Sequence, residues 1–209
     1  GDDPWGLRRR GAWVVGCVGQ LSREKNHGLL LQAFARVAAQ IPAAHLLVVG
    51  DGPLRPSLER AVASLGLAAR VTFAGRLADV VPAYAALSVF ALSSDHEGLC
   101  TSLLDAMAAG VPVATTAAGG VLEIARHGET ALVVPTRDAA ALAGALLLLH
   151  QQPELAARLV AGARAVAAAH GLERMVEGTL AAYRRLGVAP PAGAVVALRR
   201  ASAPVLGPE

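Results

Sequence analysis

Short apolar runs alternate along the chain with longer segments in which apolar residues recur at helical spacing. The apolar runs, each typical of a buried strand, are residues 12–19, 45–49, 70–73, 88–92, 112–115 and 131–134. The helical segments are residues 28–40, 54–65, 79–87, 102–109 and 121–126, and residues 138–186 contain only helices. This order predicts an α/β fold: a Rossmann-like, doubly wound parallel sheet of about six strands, followed by C-terminal helices.

The polar residues that follow the predicted strands indicate where a ligand binds. In a doubly wound sheet the ligand lies beyond the carboxyl ends of the strands, where the strand order reverses. Residues 19–26 open a helix after the first strand and contain a lysine, which suits a phosphate group. Residues 97–98 follow the fourth strand and residues 119–120 follow the fifth. We therefore expect these three loops to converge on one binding site.

The familiar dinucleotide and triphosphate motifs are missing from these loops. Gly16 and Gly19 begin a G-x-G-x-x-G pattern that the chain does not complete, and G-x-x-x-x-G-K-[ST] does not occur. Asp51 follows the second strand, where a dehydrogenase carries its ribose-binding acid, but between Gly50 and Gly52 it is typical of a turn. A nicotinamide-dependent enzyme is therefore disfavoured.

Composition excludes several other classes of function. Hydrophobic residues make up 54% of the chain and charged residues 17%, which predicts a packed core. The net charge is +3, aromatic residues are 3% and no basic stripe is present, so a nucleic-acid partner is disfavoured. The two cysteines lack metal-ligand spacing, which favours a reduced, cytoplasmic setting. Lys25 is the single lysine among 19 cationic residues, which makes it a candidate for a specific role.

The two ends of the chain differ in composition from the rest. Residues 1–11 are predicted to be a linker or N-terminal remnant, and the Pro/Ala/Gly-rich residues 187–209 a disordered tail. The N-terminus has neither an initiator Met nor the features of a signal peptide, so we expect the chain to be cut from a longer protein. No apolar run reaches the ~20 residues that a membrane helix requires.

An ordered series of motifs resembles the C-terminal half of family-4 retaining glycosyltransferases. The motifs are Val18-Gly-Gln-Leu-Ser-Arg-Glu-Lys25, Val49-Gly-Asp-Gly-Pro53, Val71-Thr-Phe-Ala-Gly75, Glu97-Gly98 through Asp105-Ala-Met-Ala-Ala-Gly-Val-Pro112, Gly119-Gly120 with Glu123, and His127-Gly-Glu-Thr-Ala-Leu-Val-Val-Pro135. The resemblance covers residues 12–186. It implies a donor-binding domain, one of the two facing Rossmann-like halves of the GT-B arrangement, that holds a nucleotide-sugar.

The resemblance also implies a role for each site residue. Lys25 would meet the diphosphate, and Gln20 and Arg23 would be nucleotide-sugar-binding residues of the same loop. Glu97 would act with Lys25 as a catalytic residue. The remaining contacts implied are the base at Gly75 and Arg76, the transferred sugar at Glu97 and the amides of Gly98, Leu99 and Cys100, and the ribose at Asp105. No metal is implied at the site, and no cofactor is expected besides the nucleotide-sugar substrate.

Two residues depart from the family pattern. Gln20 stands where the family usually has an arginine, and a neutral amide cannot offset the charge of a diphosphate; Arg23 nearby is a candidate substitute. Asp105 replaces the second glutamate of the E-x7-E pattern and is one methylene shorter. Both departures concern donor binding.

The function implied is the donor-binding half of a cytoplasmic, metal-independent retaining glycosyltransferase, in cell-surface polysaccharide or glycolipid synthesis. The acceptor-binding N-terminal half would be absent, so we expect this chain to bind donor without turnover. Peripheral membrane association of the full enzyme is compatible with the lack of a membrane span. Two alternatives stay open: a non-catalytic nucleotide-binding module, with Gln20 and Asp105 as marks of a decayed site, and half of a nucleotide-sugar epimerase, for which His96 is the one extra acid/base candidate.

Several of these residues also have a purely structural interpretation. Ser102 and Asp105 fit a helix capping box, and Lys25 and Arg23 fit solvated charges at a helix start. Glu123 fits a cap or loop residue equally well. The histidines are expected at surface or turn positions, namely His27, His45, His127, His150 and His170, and His96 is expected to be a loop side chain.

Overall fold

The computed structural model describes residues 3–187, in which six parallel strands form one sheet. The strands are β1 (Trp13–Val18), β2 (Ala44–Val49), β3 (Val71–Gly75), β4 (Val89–Leu92), β5 (Val113–Thr116) and β6 (Leu132–Val134). Their order in the sheet is β3-β2-β1-β4-β5-β6. This is the order of the Rossmann dinucleotide-binding fold, so the predicted fold class is confirmed.

Helices connect the strands and follow the last of them. They are α1 (His27–Gln40), α2 (Arg55–Ser64), α3 (Val81–Ala86), α4 (Thr101–Ala108), α5 (Val121–Ile124), α6 (Ala139–Gln151), α7 (Pro153–Ala169) and α8 (Leu172–Arg185). The chain divides after Val166, within α7, into two compact units. Every strand belongs to the first unit, which therefore contains the site described below.

Both faces of the central strands are buried, because helices cover them on each side. Val15 and Cys17 of β1 belong to the main hydrophobic core together with residues of α1 and α6. The alternate residues of β1 point to the other face, where α3 packs. Gly16 is required there, since a Cβ at this position would lie 2.1 Å from the Leu87 side chain. Near-continuous apolar strands of this kind are expected in a parallel sheet that is covered on both faces.

The element boundaries differ from the sequence prediction by at most two residues. Helix α1 begins at His27, one residue early, because the Asn26 side chain caps it by accepting the Leu29 N–H at 3.2 Å. Strand β3 continues to Gly75, two residues beyond its predicted end, since the Gly75 carbonyl accepts the Gly50 N–H at 2.8 Å. Both differences extend ordered backbone toward the carboxyl edge of the sheet.

The two end segments of the sequence prediction remain predictions. Of the predicted disordered tail, residues 187–209, all but Gly187 lie outside the described residues. Across residues 3–187, none of the helices combines the length and the apolar character needed to cross a bilayer.

Candidate functional site

Three loops meet at the carboxyl edge of the sheet, beside the point where β1 separates β2 from β4. They are residues 19–26 after β1, residues 93–100 after β4 and residues 117–120 after β5. The Asp95 N–H donates to the Glu24 carbonyl at 2.8 Å, and the Gly120 N–H donates to the Glu97 carbonyl at 3.0 Å. The loops that were expected to converge are thus hydrogen-bonded to one another. We call residues 19–26 and 93–100 the β1–β4 loops.

Lys25 and Glu97 form a salt bridge across the β1–β4 loops. The Lys25 Nζ lies 2.6 Å from the Glu97 Oε1, and the two side chains are 24% and 6% exposed. These residues are 72 positions apart in the chain, so only the sheet brings them together. A charged hydrogen bond this short fixes the ammonium group at the mouth of the crevice.

Buried hydroxyl groups hold this salt bridge in place. Ser94 donates to the same Glu97 oxygen at 2.5 Å, and the Thr116 hydroxyl donates to the Ser94 carbonyl at 2.6 Å. Ser93 donates to the Lys25 carbonyl at 2.9 Å. The sequence analysis missed these three residues, although their position directly at the ends of β4 and β5 was a usable signal.

The glycine pair after β5 approaches protein backbone closely. A Cβ on Gly119 would lie 2.6 Å from the Glu97 carbonyl oxygen, and one on Gly120 would lie 2.2 Å from the Gly98 carbonyl oxygen. No larger residue fits at either position without moving the β4 loop. The glycine pair therefore allows the loop after β5 to support the backbone that carries Glu97.

The segment from Gly98 to Cys100 presents unused backbone donors. Within the described part of the chain, the N–H groups of Gly98, Leu99 and Cys100 donate to no protein acceptor. A Cβ on Gly98 would meet no atom within 4 Å, and the Leu99 side chain is 65% exposed. The segment leads into the N-terminus of α4, whose dipole adds positive potential. Such an array of donors suits oxygen atoms of a ligand.

Asp105 does not form the capping box that the sequence allowed. Helix α4 begins at Thr101 with Cys100 as its N-cap, so Ser102 lies inside the helix, and its hydroxyl is 3.5 Å from the Cys100 Sγ. The structural alternative for Asp105 is therefore wrong. Asp105 lies on an exposed part of α4, and partial burial of its carboxyl raises its pKa. No described contact joins it to Lys25 or Glu97.

A cleft of about 330 Å³ lies beyond the ends of β1, β2 and β3, and we call it the β1–β3 cleft. Its lining residues are Val18, Gly19, Gln20, Val49, Gly50, Asp51, Arg76, Leu77 and Val80. The predicted site residues Gln20 and Arg76 thus share one cavity. Asp51 accepts its neighbour's N–H, from Gly52, at 2.8 Å, which agrees with the turn role expected for it.

The remaining predicted residues lie around these two regions. Gly75 ends β3 with a left-handed backbone (φ +71°), beside the Arg55 guanidinium. Arg23 is exposed, and in residues 3–187 its side chain makes no hydrogen bond or salt bridge. Glu123 is likewise exposed on α5. The structure therefore brings Lys25 and Glu97 together but leaves Arg23 without a fixed partner.

His27 is buried, and the expectation of a turn or surface position was wrong. It is 5% exposed at the start of α1, and its Nδ1 has no hydrogen-bond partner among the described residues. Burial, and to a lesser extent the charge of Lys25, lowers the pKa of His27 to about 4. A buried neutral imidazole thus lies behind the loop that carries Lys25.

Within residues 3–187, the structure contains no cluster of side chains suited to binding a metal ion. No three His, Cys, Asp or Glu residues are grouped there so as to hold an ion. The positive groups beside Glu97 are the Lys25 ammonium and the backbone donors that precede α4.

Residues 12–152 match the family of group 1 glycosyl transferases, and this range is more than half of the chain. The chain belongs to this family. Its fold also agrees with that of a GT-B-like enzyme. The crystal structure of HepE from Anabaena in complex with UDP-glucose matches with a TM-score of 0.76 and 25% identity, covering 87% of this chain and 54% of HepE.

Curated members of the family are similar over one part of their length. A 2-deoxystreptamine glucosyltransferase from Streptomyces kanamyceticus is 36% identical over 87% of this chain and 48% of that enzyme. The lipopolysaccharide core biosynthesis glycosyltransferase LpsE from Rhizobium meliloti is 36% identical over 70% of this chain and 42% of LpsE. The chain thus spans about half the length of the curated relatives it matches.

Proposed function

We propose that this chain is the nucleotide-sugar-binding, C-terminal half of a retaining group 1 glycosyltransferase. The observation that carries the proposal is the Lys25–Glu97 salt bridge of 2.6 Å, held at the switch point of the sheet beside three unused backbone donors. It places a cation, a carboxylate and N–H groups at one point. A cation and N–H groups suit the oxygens of a diphosphate, and a carboxylate suits the hydroxyls of a sugar.

Lys25 is proposed to act on the leaving diphosphate. When the glycosidic bond to the donor breaks, negative charge develops on the diphosphate oxygen, and a fixed ammonium stabilises that charge most in a partly dehydrated site. The Lys25 side chain is held by Glu97 before any ligand arrives, so little reorganisation is needed. The dipole of α4 acts in the same direction, since its N-terminus carries partial positive charge.

Glu97 is proposed to orient the transferred sugar. Its Oε1 is occupied by Lys25 and Ser94, and a carboxylate has a second oxygen that can accept from a sugar hydroxyl. The amides of Gly98, Leu99 and Cys100 would donate to sugar oxygens. These contacts would hold the sugar so that the acceptor attacks the face from which the diphosphate leaves, as in a retaining reaction.

The nucleoside is proposed to occupy the β1–β3 cleft. The backbone of Gly75 and Arg76 would contact the base, and the Asp105 carboxylate on α4 would accept hydrogen bonds from the ribose hydroxyls. The cleft of about 330 Å³ has the size of a small-ligand pocket. HepE, which shares this fold, was crystallised with UDP-glucose, which supports a nucleoside diphosphate sugar as the ligand class.

The acceptor is proposed to be bound by a second, N-terminal domain. The chain corresponds to 54% of HepE and 48% of the 2-deoxystreptamine glucosyltransferase, so each of these proteins has further sequence that has no counterpart here. We expect the chain alone to bind donor without transferring the sugar. LpsE, a lipopolysaccharide core biosynthesis glycosyltransferase, supports a cell-surface polysaccharide or glycolipid as the product. We further propose that the full enzyme acts on the cytoplasmic side of the membrane through peripheral association.

Titration of the 209-residue chain with nucleotides tests the proposal. We expect UDP, GDP or ADP to raise the melting temperature and NAD to leave it unchanged. A ligand at 100 times its dissociation constant adds about 2.7 kcal/mol to the free energy of unfolding. Unchanged melting with all three diphosphates at millimolar concentration would refute donor binding.

The retaining outcome requires the full-length enzyme. Proton NMR of the product sugar, recorded early in the reaction with an α-linked nucleotide-sugar, is expected to show the α-anomer. A β-linked product would contradict the proposed retention, while leaving nucleotide binding by this chain intact.

A further inference from the structure

The Asp95 carboxylate connects the two β1–β4 loops of the candidate site to a further loop, between β6 and α6. Asp95 follows β4, and its side chain is 17% exposed. Its Oδ1 accepts from the Asn26 Nδ2 at 3.0 Å, and its Oδ2 accepts from the Arg137 Nε at 3.2 Å. Asn26 precedes α1, and Arg137 lies between β6 and α6. Both carboxylate oxygens are therefore used between segments that are distant in sequence.

The two partners of Asp95 have an unusual backbone conformation. Asn26 has φ +44° and Arg137 has φ +61°, and they are the two non-glycine residues with positive φ in the described part of the chain. Left-handed backbone is uncommon at non-glycine residues and persists where the surrounding contacts impose it. The Asp95 carboxylate is the contact that these two positions share.

The backbone around Lys25 is held on both sides by the loop that carries Asp95. The Asp95 N–H donates to the Glu24 carbonyl at 2.8 Å, and its carboxylate holds the side chain of Asn26. The Lys25 carbonyl itself accepts from Ser93 at 2.9 Å. Residues 24–26 are thus anchored to the β4 loop at three successive positions.

From this arrangement we propose that Asp95 is a positioning residue that fixes Lys25 in register with Glu97 for the diphosphate. The inference rests on the proposed function, since it assigns Asp95 to the same site. Asp95 itself does not touch the ligand. It acts by holding residues 24–26, so its removal frees the lysine backbone and lowers the affinity for phosphate groups only.

The two contacts of the Asp95 carboxylate are expected to contribute unequally to UDP affinity. Arg137 is 72% exposed, and exposed ion pairs contribute little. The Asn26 contact lies directly beside Lys25 and is partly buried. We therefore expect Arg137→Ala to reduce UDP affinity about twofold at most, and Asp95→Ala to reduce it about tenfold.

Calorimetric titration with UDP and with uridine tests the proposal, because a positioning role affects the diphosphate alone. Asp95→Ala is expected to lose about tenfold in UDP affinity and nothing in uridine affinity. Asp138→Ala is the matched control: it removes a neighbouring carboxylate, one that caps α6 by accepting from the Ala141 N–H at 2.8 Å. This control is expected to lower the melting temperature while UDP binding stays unchanged.

A double variant shows whether Asp95 acts through Lys25. Adding Asp95→Ala to Lys25→Ala is expected to cause little further loss of UDP affinity, since residues of one network are not additive. Losses that multiply would overturn the proposal, as would a folded Asp95→Ala protein that binds UDP like wild type. If Asp95→Ala does not fold, Asp95→Asn decides, with a loss of about threefold for UDP and none for uridine expected; unchanged UDP binding in that variant also overturns the proposal.

The failures of the two proposals are distinguishable in the same experiment. If wild type binds no nucleoside diphosphate, the proposed function fails and the role of Asp95 fails with it. If wild type binds UDP and Lys25→Ala weakens that binding, while Asp95→Ala does not, donor binding stands and the positioning role alone is wrong.

Discussion

The two sides of the crevice differ in the source of their polar groups. On the β1–β4 side, charged and hydroxyl side chains hold one another, with Lys25 2.6 Å from Glu97 and Ser94 on the same oxygen. In the β1–β3 cleft, the residues at the strand ends are mostly glycine and apolar, and Gln20 and Arg76 are exposed. The β1–β4 side therefore presents fixed charges to a ligand, whereas the β1–β3 cleft presents mainly a defined shape.

The difference between the two sides indicates which part of the proposed ligand each side would recognise. Fixed charges bind groups that all nucleoside-diphosphate sugars share, namely the diphosphate and the sugar hydroxyls. A cleft edged by backbone discriminates less by charge and more by the outline of the base. Phosphate affinity is thus expected to depend on a few side chains of the β1–β4 loops, and the choice of base on the β1–β3 cleft.

The largest expected effect is a loss of stability at low pH, caused by the buried His27, which directly follows the loop that carries Lys25. The pKa of His27 is about 4 when folded against 6.5 normally, so between these values the unfolded chain binds a proton that the folded chain does not. Stability therefore falls as the pH is lowered through this window, by about 3 kcal/mol from this residue. Urea unfolding at a series of pH values measures the loss.

Two variants isolate the contribution of His27. His27→Gln removes the titrating group, so its stability is expected to change less between pH 6.5 and 4. The exposed His96→Gln is the control and is expected to keep the wild-type dependence. Parallel curves for wild type and His27→Gln would show that His27 is not the buried titrating group.

Lys25→Ala tests most directly whether the two sides of the crevice bind different parts of the ligand. It removes the ammonium and is expected to weaken UDP binding by about 1.5–3 kcal/mol, while uridine binding stays the same. Arg36→Ala is a matched control, because Arg36 is an exposed cation of α1 without a contact in the crevice. Equal losses for UDP and uridine would mean that Lys25 supports the fold of both sides and is not specific for phosphate.

Asp105→Ala tests the nucleoside side. A lost charged hydrogen bond to ribose is expected to cost about 1.5 kcal/mol of UDP affinity, at the lower end of the range because Asp105 is exposed. The 2′,3′-dideoxy analogue is expected to bind wild type and variant alike. Since no capping box exists, the melting temperature of the variant is expected to stay close to that of wild type. The ribose assignment fails if both ligands lose the same affinity.

The smallest effect is expected from Gln20→Arg, which adds charge to the neutral side of the crevice. A new cation beside the crevice is expected to tighten UDP binding by less than about 1 kcal/mol, because the position is exposed. The gain is expected to shrink as salt increases, since exposed charges are screened. Absence of a gain at low ionic strength would indicate that the diphosphate does not pass Gln20.

The amino-acid sequence was sufficient to predict the parallel sheet and the loops that form the candidate site. Apolar runs without alternation predict buried parallel strands, because burial on both faces is a local consequence of side-chain polarity. The ordered motifs likewise singled out Lys25 and Glu97 from resemblance alone.

Tertiary structure decided which groups meet and which are buried. The contacts of Lys25 with Glu97 and of Asn26 with Asp95 span 72 and 69 residues, and the spacing of residues along the chain carries no distance information at that range. The burial of His27, four positions after the exposed Arg23, was equally hidden, and the sequence left both a phosphate-binding and a solvated interpretation open for Arg23. Both depend on how α1 packs onto the sheet, so only the folded chain distinguishes a buried imidazole from a solvated charge.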